Sequence, residues 1–229
     1  MARDAAVPLA KGVWRIPTSL GDFVNSYAFR DADGSVTLVD AGLGLRWAHR
    51  KLRAGLQAIG AAPGDVRRVV VTHAHSDHAG GLARMVAYTG ADVASHEREA
   101  VYLRDGRTPR FHGGRRTSFA KVTVAEEFLN GSVLPVAGGL RVVHTPGHTP
   151  GHVSLLHLPT GVLVTGDALF NLRGIRYSPG SLCTDPELNR KSVDGLGDLD
   201  FEVVAFTHGP EIRHGARAAV RAFLRGRER

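Results

Sequence analysis

VVVTHAHSDHAGG, residues 69–81, ends a run of valines in His73, His75, Asp77 and His78 and then turns through two glycines. The valines read as a buried strand, because β-branched side chains suit a pleated surface packed on a core. The next positions carry three imidazoles and a carboxylate. Burying such groups unpaired costs roughly 2–7 kcal/mol each. A cation that takes nitrogen and oxygen donors together would satisfy all of them at once.

Donor residues recur at other strand ends. His148 lies in a turn after a strand at 141–145, Asp167 ends a strand at 161–166, and His208 ends a strand at 202–206. Strand ends at one rim of a sandwich converge, and rigid elements hold ligands in place. Alternate residues of an extended segment point the same way, so His73 and His75 can share an ion while Asp77 and His78 turn to a second. Imidazole with carboxylate suits zinc, and also iron or manganese. Cys183 is the single cysteine, which excludes a thiolate-bound structural zinc. Seven donors are too many for one tetrahedral ion. Two ions sharing one carboxylate fit the number, with Asp167, alone at its strand end, as the bridge.

Strands and helices alternate around these points. VWRIPTS, NSYAFRD and SVTLVDAG open the chain as short strands, and residues 45–60 place Leu45, Ala48, Leu52, Leu56 and Ile59 on one helical face. A strand at 66–72 delivers the crowded segment. GLARMVAYTG reads as a helix, ADVASHE as a strand, and a further helix runs to about Arg104. In the second half, GLRVVHTPGHTPGHVSLLHLP reads as two strands around a Pro-Gly turn, and GVLVTGDALF as a strand ending in Gly166 and Asp167. A helix near 186–196, the strand FEVVAFTHGP and a helix over 212–224 complete the chain. No Pro/Gly/Ser linker divides it, so a single domain over 1–229 is expected, with two sheets packed together and helices outside.

Composition narrows the partners. The formal net charge is +7, yet only four of the 29 cations are lysines, so arginine is enriched throughout rather than in one basic arm. The densest stretch, RDGRTPRFHGGRR, carries arginines at 104, 107, 110, 115 and 116 against Asp105. Arg110, Arg115 and Arg116 there are candidates to meet an anionic substrate. Nucleic acid is not expected. No run of about 18 apolar residues is present, so no transmembrane helix is expected. The first residues, MARDAAVPLAKGVW, lack an apolar stretch behind a basic start, which with the lone cysteine points to the cytoplasm; a monomer or homodimer acting on a small molecule is expected.

THAHSDHAGG, TPGHTPGH, VTGDALF and FTHGP, with LVDAG upstream, together resemble the metallo-β-lactamase fold superfamily, in its glyoxalase II-like and lactonase-like branch. The resemblance implies an α+β fold, a four-layer αββα sandwich with a metal site at one edge of the two sheets. It implies two zinc ions per chain, one on His73, His75 and His148, a second on Asp77, His78 and His208, and Asp167 between them. Asp40 matches an acid that orients a ligand histidine, and His152 is a candidate for a similar supporting role. The implied activity is hydrolysis of an ester, thioester, lactone or amide, by a hydroxide held between the ions and oriented by Asp77. An alternative on the same fold is a persulfide dioxygenase with one iron on His73, His148 and Asp167. Phe170 stands where the lactonases place a tyrosine, and NLRGIR departs from the glyoxalase II pattern. His49, His96, His144, His157 and His214 carry surface or core readings, and Cys183 that of a passive thiol.

Overall fold

The computed structural model describes residues 5–111 and 116–226. The first half forms a seven-stranded sheet in the order β1-β2-β3-β4-β5-β6-β7, from Val7–Ala10, Val13–Pro17, Asn25–Arg30, Val36–Val39, Val66–Val71, Asp92–His96 and Glu126–Phe128. The second half forms a five-stranded sheet, from Val133–Leu134 (β8), Leu140–His144 (β9), Val153–His157 (β10), Val162–Val164 (β11) and Val203–Ala205 (β14). A separate hairpin joins Leu169–Asn171 (β12) to Ile175–Tyr177 (β13). The helices are α1 (Arg46–Ala58), α2 (Leu82–Thr89), α3 (Glu97–Asp105), α4 (Pro186–Asp194) and α5 (Ala216–Arg225).

Side-chain alternation explains the layering. In β5, Val69 and Val71 pack toward α1 and α2, while Val70 faces the other sheet. In β11, Val162 and Val164 face the first sheet, while Leu163 packs with Val193 of α4 and Val220 of α5. Each sheet is therefore buried on both faces, which produces the near-continuous apolar runs seen in the sequence. The result is two mixed sheets with helices flanking them, the αββα arrangement expected.

Strand direction places the site. β4, β5 and β6 run parallel, and parallel neighbours need crossovers, supplied here by α1 and α2. The carboxyl ends of β4 and β5 consequently share one edge, where Asp40 and His73 follow. In the second sheet β11 and β14 are parallel, so Asp167 and His208 also leave on one side. Antiparallel pairing of β10 with β11 brings the turn before β10, which holds His148, to the same rim. The amide of Val153 donates to the carbonyl of Thr72 at 3.1 Å, joining the two sheets at that point.

Four expectations need correction. The crowded segment does not stay extended after the strand; it curls at His75, whose carbonyl accepts from the amides of His78 and Ala79 at 3.1 and 2.8 Å. The strand expected at 161–166 is shorter: β11 stops at Val164, a short helical turn carries Asp167, and Leu169 begins the unanticipated β12–β13 hairpin. The C-terminal helix starts at Ala216 rather than 212, after Gly215 at φ 65°. β1, β7 and β8 were not anticipated, being only 4, 3 and 2 residues long. No helix among the described residues is long and apolar enough to cross a membrane.

Candidate metal centre

The curl at His75 is possible because of the two glycines that close the opening motif. A Cβ at Gly80 would stand 2.1 Å from the Ser76 carbonyl oxygen, and one at Gly81 would stand 2.2 Å from that of Ala41. Both backbones are approached too closely for any other residue. The curl turns His78 back toward β4, where Asp40 waits.

Asp40 adopts φ 60°, a conformation that costs a non-glycine residue about 1–3 kcal/mol. Its hydrogen bonds hold it there. Oδ1 accepts from the Thr72 amide at 2.8 Å, and Oδ2 from the Thr72 hydroxyl at 2.7 Å and from His78 Nδ1 at 2.9 Å. The proton on His78 is therefore on Nδ1, and Nε2 is left as a lone pair facing inward. The Thr72 hydroxyl, having given its proton to Asp40, accepts from His73 Nδ1 at 3.0 Å, which sets the same tautomer there.

The remaining donors arrive with their own supports. His148 places Nε2 3.2 Å from His73 Nε2, with its Nδ1 against the Ser178 hydroxyl at 2.9 Å. His208 donates from Nδ1 to the Phe23 carbonyl and directs Nε2 to Asp167 Oδ2 at 3.1 Å. Asp167 sits in the middle. One oxygen lies 3.4 Å from His148 Nε2 and 3.9 Å from His73 Nε2, the other 3.2 Å from His78 Nε2. Thr207 donates to Asp167 Oδ1, and the Asp167 amide donates to His152 Nε2 at 2.8 Å. Asp77 Oδ2 lies 3.4 Å from His208 Nε2 and 3.7 Å from His78 Nε2, with a side chain 30% exposed where the other donors are buried.

Three sets of potential ligand atoms result: His73, His75 and His148; His73, His78 and Asp167; Asp77, His78 and His208. All seven expected donors thus meet in one place. His75 Nε2 and His78 Nε2 are buried and have no hydrogen-bond partner among the described residues. Two orphaned imidazole nitrogens beside a carboxylate are what a cation would satisfy, so the residues present fit a metal site.

Protonation follows from surroundings. Burial, with neighbouring imidazoles, holds His73 and His148 well below the ordinary histidine range and His75 down to about 4. Burial also pushes His78 and His208 down, but Asp167 and Asp77 outweigh it, lifting His78 well above its ordinary value and His208 to about 9. Burial raises Asp167, yet His208 and His78 hold it well below the carboxylate range.

Other expected residues fall as follows. His152 is buried, sets the Asp167 backbone and offers no atom to the ligand sets. Phe170 is buried 4.3 Å from the His208 ring. Arg110 and Arg116 are exposed, and Arg115 lies outside the described residues. Phe111, next to Arg110, packs 4.6 Å from the His75 ring, so this loop does reach the cluster. Burial lifts the Cys183 thiol to about 11, in keeping with a passive role. Ser178, Thr207 and the Phe23 carbonyl were missed. Only Thr207, adjacent to His208, carried a signal, as a hydroxyl beside a candidate ligand.

Residues 20–208 match the Metallo-beta-lactamase superfamily, and the chain belongs to it. It is 35% identical over 201 residues to metallo-beta-lactamase domain-containing protein 1 of Xenopus laevis, covering 82% of this chain and 76% of that one. It is 26% identical over 190 residues to a Bacillus subtilis protein named as a probable metallo-hydrolase, YybB, covering 82% of each. Among solved structures, a metallo-beta-lactamase from Cronobacter sakazakii, a mutant of its HARLDQ motif, aligns with TM-score 0.76 and 25% identity over 97% of this chain and 94% of that one. The fold, the family and the His/Asp cluster together define a metallo-hydrolase.

Proposed function

We propose that this metallo-hydrolase carries two divalent ions, zinc in the first instance, and hydrolyses an acyl substrate: an ester, thioester, lactone or amide. The observation that carries the reading is the pair of complete donor groups on either side of Asp167, with two buried imidazole nitrogens otherwise unsatisfied. His73, His75 and His148 would hold one ion, and Asp77, His78 and His208 the other, with Asp167 common to both. Such ions lower the pKa of water to about 7 and polarise an acyl oxygen.

The chain's own residues do the rest. Asp40 fixes His78 with its proton on Nδ1, and the Thr72 hydroxyl does the same for His73, so both rings present lone pairs without a conformational search. Asp77 is the one donor in contact with solvent. Through the oxygen not turned to His78 and His208 it accepts a hydrogen bond from the attacking water and orients it toward the carbonyl. Phe170 and Phe23 flank the His208 ring. Arg110 and Arg116 are exposed on the loop whose Phe111 reaches His75, and we assign them a preference for anionic small molecules.

Metal analysis of protein purified without chelator, combined with a hydrolysis panel of thioesters, lactones, aryl esters and β-lactams, tests the reading. Nearly two zinc per chain and turnover of at least one class, abolished by chelation and restored by zinc, is the expected result. One iron per chain, with oxygen uptake on a persulfide and no hydrolysis, would overturn it in favour of a dioxygenase.

A further inference from the structure

Glu99 is fully buried, and nothing in the chemistry described above uses it. It lies in the first turn of α3, outside the donor cluster. Oε2 accepts from the Ala74 amide at 2.7 Å, and Oε1 accepts from the Gly151 amide at 2.7 Å. Ala74 is the residue between His73 and His75. Gly151 lies in the turn that carries His148 and immediately precedes His152. One carboxylate therefore bridges the two segments that supply His73, His75 and His148.

Neither amide belongs to a regular strand. Ala74 follows the end of β5 and Gly151 precedes the start of β10. An amide buried there without an acceptor would cost about 1–3 kcal/mol. A carboxylate is suited to the task because its two oxygens can each take one amide, and charge-assisted bonds of this kind are short and strong. Its position near the N-terminus of α3 favours the negative charge. Among the described residues no cation pairs with it; burial raises its pKa, and the Thr149 side chain and the two amides oppose that rise. The fit is close: a Cβ on Gly151 would stand 2.9 Å from both Glu99 Cγ and Glu99 N. Glycine at 151 lets the turn press onto α3.

We infer that Glu99 is a positioning residue for the metal centre, a buried clamp that holds the His73–His75 segment at a fixed distance from the His148 turn. The inference rests on the reading of the cluster as a metal site. It makes an asymmetric claim. His78 is held by Asp40 and His208 by the Phe23 carbonyl, so the Asp77, His78 and His208 group does not depend on the clamp.

The test uses Glu99→Gln in the full chain, with Co(II) as the probe metal and a competing chelator. Glutamine keeps the shape but can accept through one oxygen only, so one loop amide loses its partner. The expected result is a loss of about 10–100-fold in affinity for one Co(II), with the other unchanged. The visible bands of the weakened ion should shift, kcat should fall with KM nearly constant, and the metal-free melting temperature should fall only by the several degrees that one unpaired buried amide costs. Equal loss of both ions with a large fall in melting temperature would show a merely structural residue and overturn the proposal, as would wild-type affinity for both.

A second measurement covers the case where the variant does not fold. In the metal-free wild type, the amide hydrogens of Ala74 and Gly151 should exchange slowly although both lie outside strands and helices. Exchange at the unprotected rate at either position rules the clamp out. This readout also separates the two ideas: a wild type that binds no Co(II) defeats the metal reading, while protected amides would still establish the clamp.

Discussion

The two halves of the donor cluster are made from the same residue types on opposite electrostatic terms. His73, His75 and His148 are buried together, and the loss of hydration, reinforced by the neighbouring rings, keeps their protons off. They form a set of neutral lone pairs before any ion arrives. His78 and His208 are buried nearly as deeply, yet Asp167 and Asp77 lift both above the ordinary histidine range. There, the two carboxylates face the same Nε2 atoms that a cation would take. Burial alone does not decide the state of a ligand histidine; the sum of the carboxylates and imidazoles around it does as well. Asp167 is the residue in which both halves meet, so substitutions should act in order of how much of the comparison they destroy.

Asp167→Asn should have the largest effect. It removes the charge that faces both groups and leaves an amide that cannot serve four imidazoles. Loss of metal-derived stabilisation of several kcal/mol corresponds, at about 1.4 kcal/mol per tenfold, to a fall in kcat of about 1,000-fold or more. Metal content should drop in both halves together. A variant that keeps one tightly bound ion would show that the groups are independent and that Asp167 is not shared.

Asp77→Ala strikes only the second group. Its side chain is partly exposed at the rim, so the fold should survive and circular dichroism should be unchanged. The turnover number should fall at least about 100-fold, the loss typical of a key electrostatic group. Near-native turnover would remove Asp77 from its orienting role. Asp40→Ala acts one step further out. It leaves all seven donors in place but frees His78 to rotate and to shift its proton to Nε2. Metal affinity should fall about 10–100-fold, concentrated in the Asp77, His78 and His208 half. Together with Glu99→Gln, which should weaken the opposite half, it gives a pair of variants with mirrored defects; measured on Co(II) titrations, identical defects in both would collapse the comparison.

The same division governs what was legible in the sequence. The donors were readable because their residue types are rare at the ends of apolar strands, and seven of them fell at strand ends within one chain. Asp40 was readable through the resemblance of LVDAG, in which it is the acid. The supports were not. Glu99 acts on backbone amides, Phe23 offers a carbonyl, and Ser178 comes from a loop after a three-residue strand; none of these contacts leaves a periodic trace. The β12–β13 hairpin was hidden for a related reason, since its strands of three residues are too short to show alternation and Asp167 interrupts the apolar run before them. The layering was legible because Val69–Val71 of β5, β10 and β11 are buried on both faces and read as largely apolar segments.

The smallest expected effect lies at the entrance. Phe111 against His75 fixes one point of the 104–116 loop at the first donor group, and the Arg110 carbonyl accepts from the Thr184 hydroxyl at 3.1 Å, which ties the loop to the segment after Cys183. Arg110 and Arg116 are exposed, so their attraction for a substrate carboxylate is screened by water and salt. Exposed ion pairs contribute about 0.2–1 kcal/mol, so the double variant Arg110→Ala, Arg116→Ala should raise KM for an anionic substrate by no more than about five-fold. For the neutral ester of the same compound KM should stay constant, and kcat should not change for either, because neither arginine touches the donor groups. Raising the salt concentration should reproduce the variant's behaviour in the wild type, since the Debye length shrinks from about 10 Å at 0.1 M to about 3 Å at 1 M. The comparison of the two substrates carries the test. Equal changes in KM for the anion and its neutral ester would show that the loop shapes the entrance without reading charge, and would leave the selection of substrate to the apolar side chains around His75 and His208.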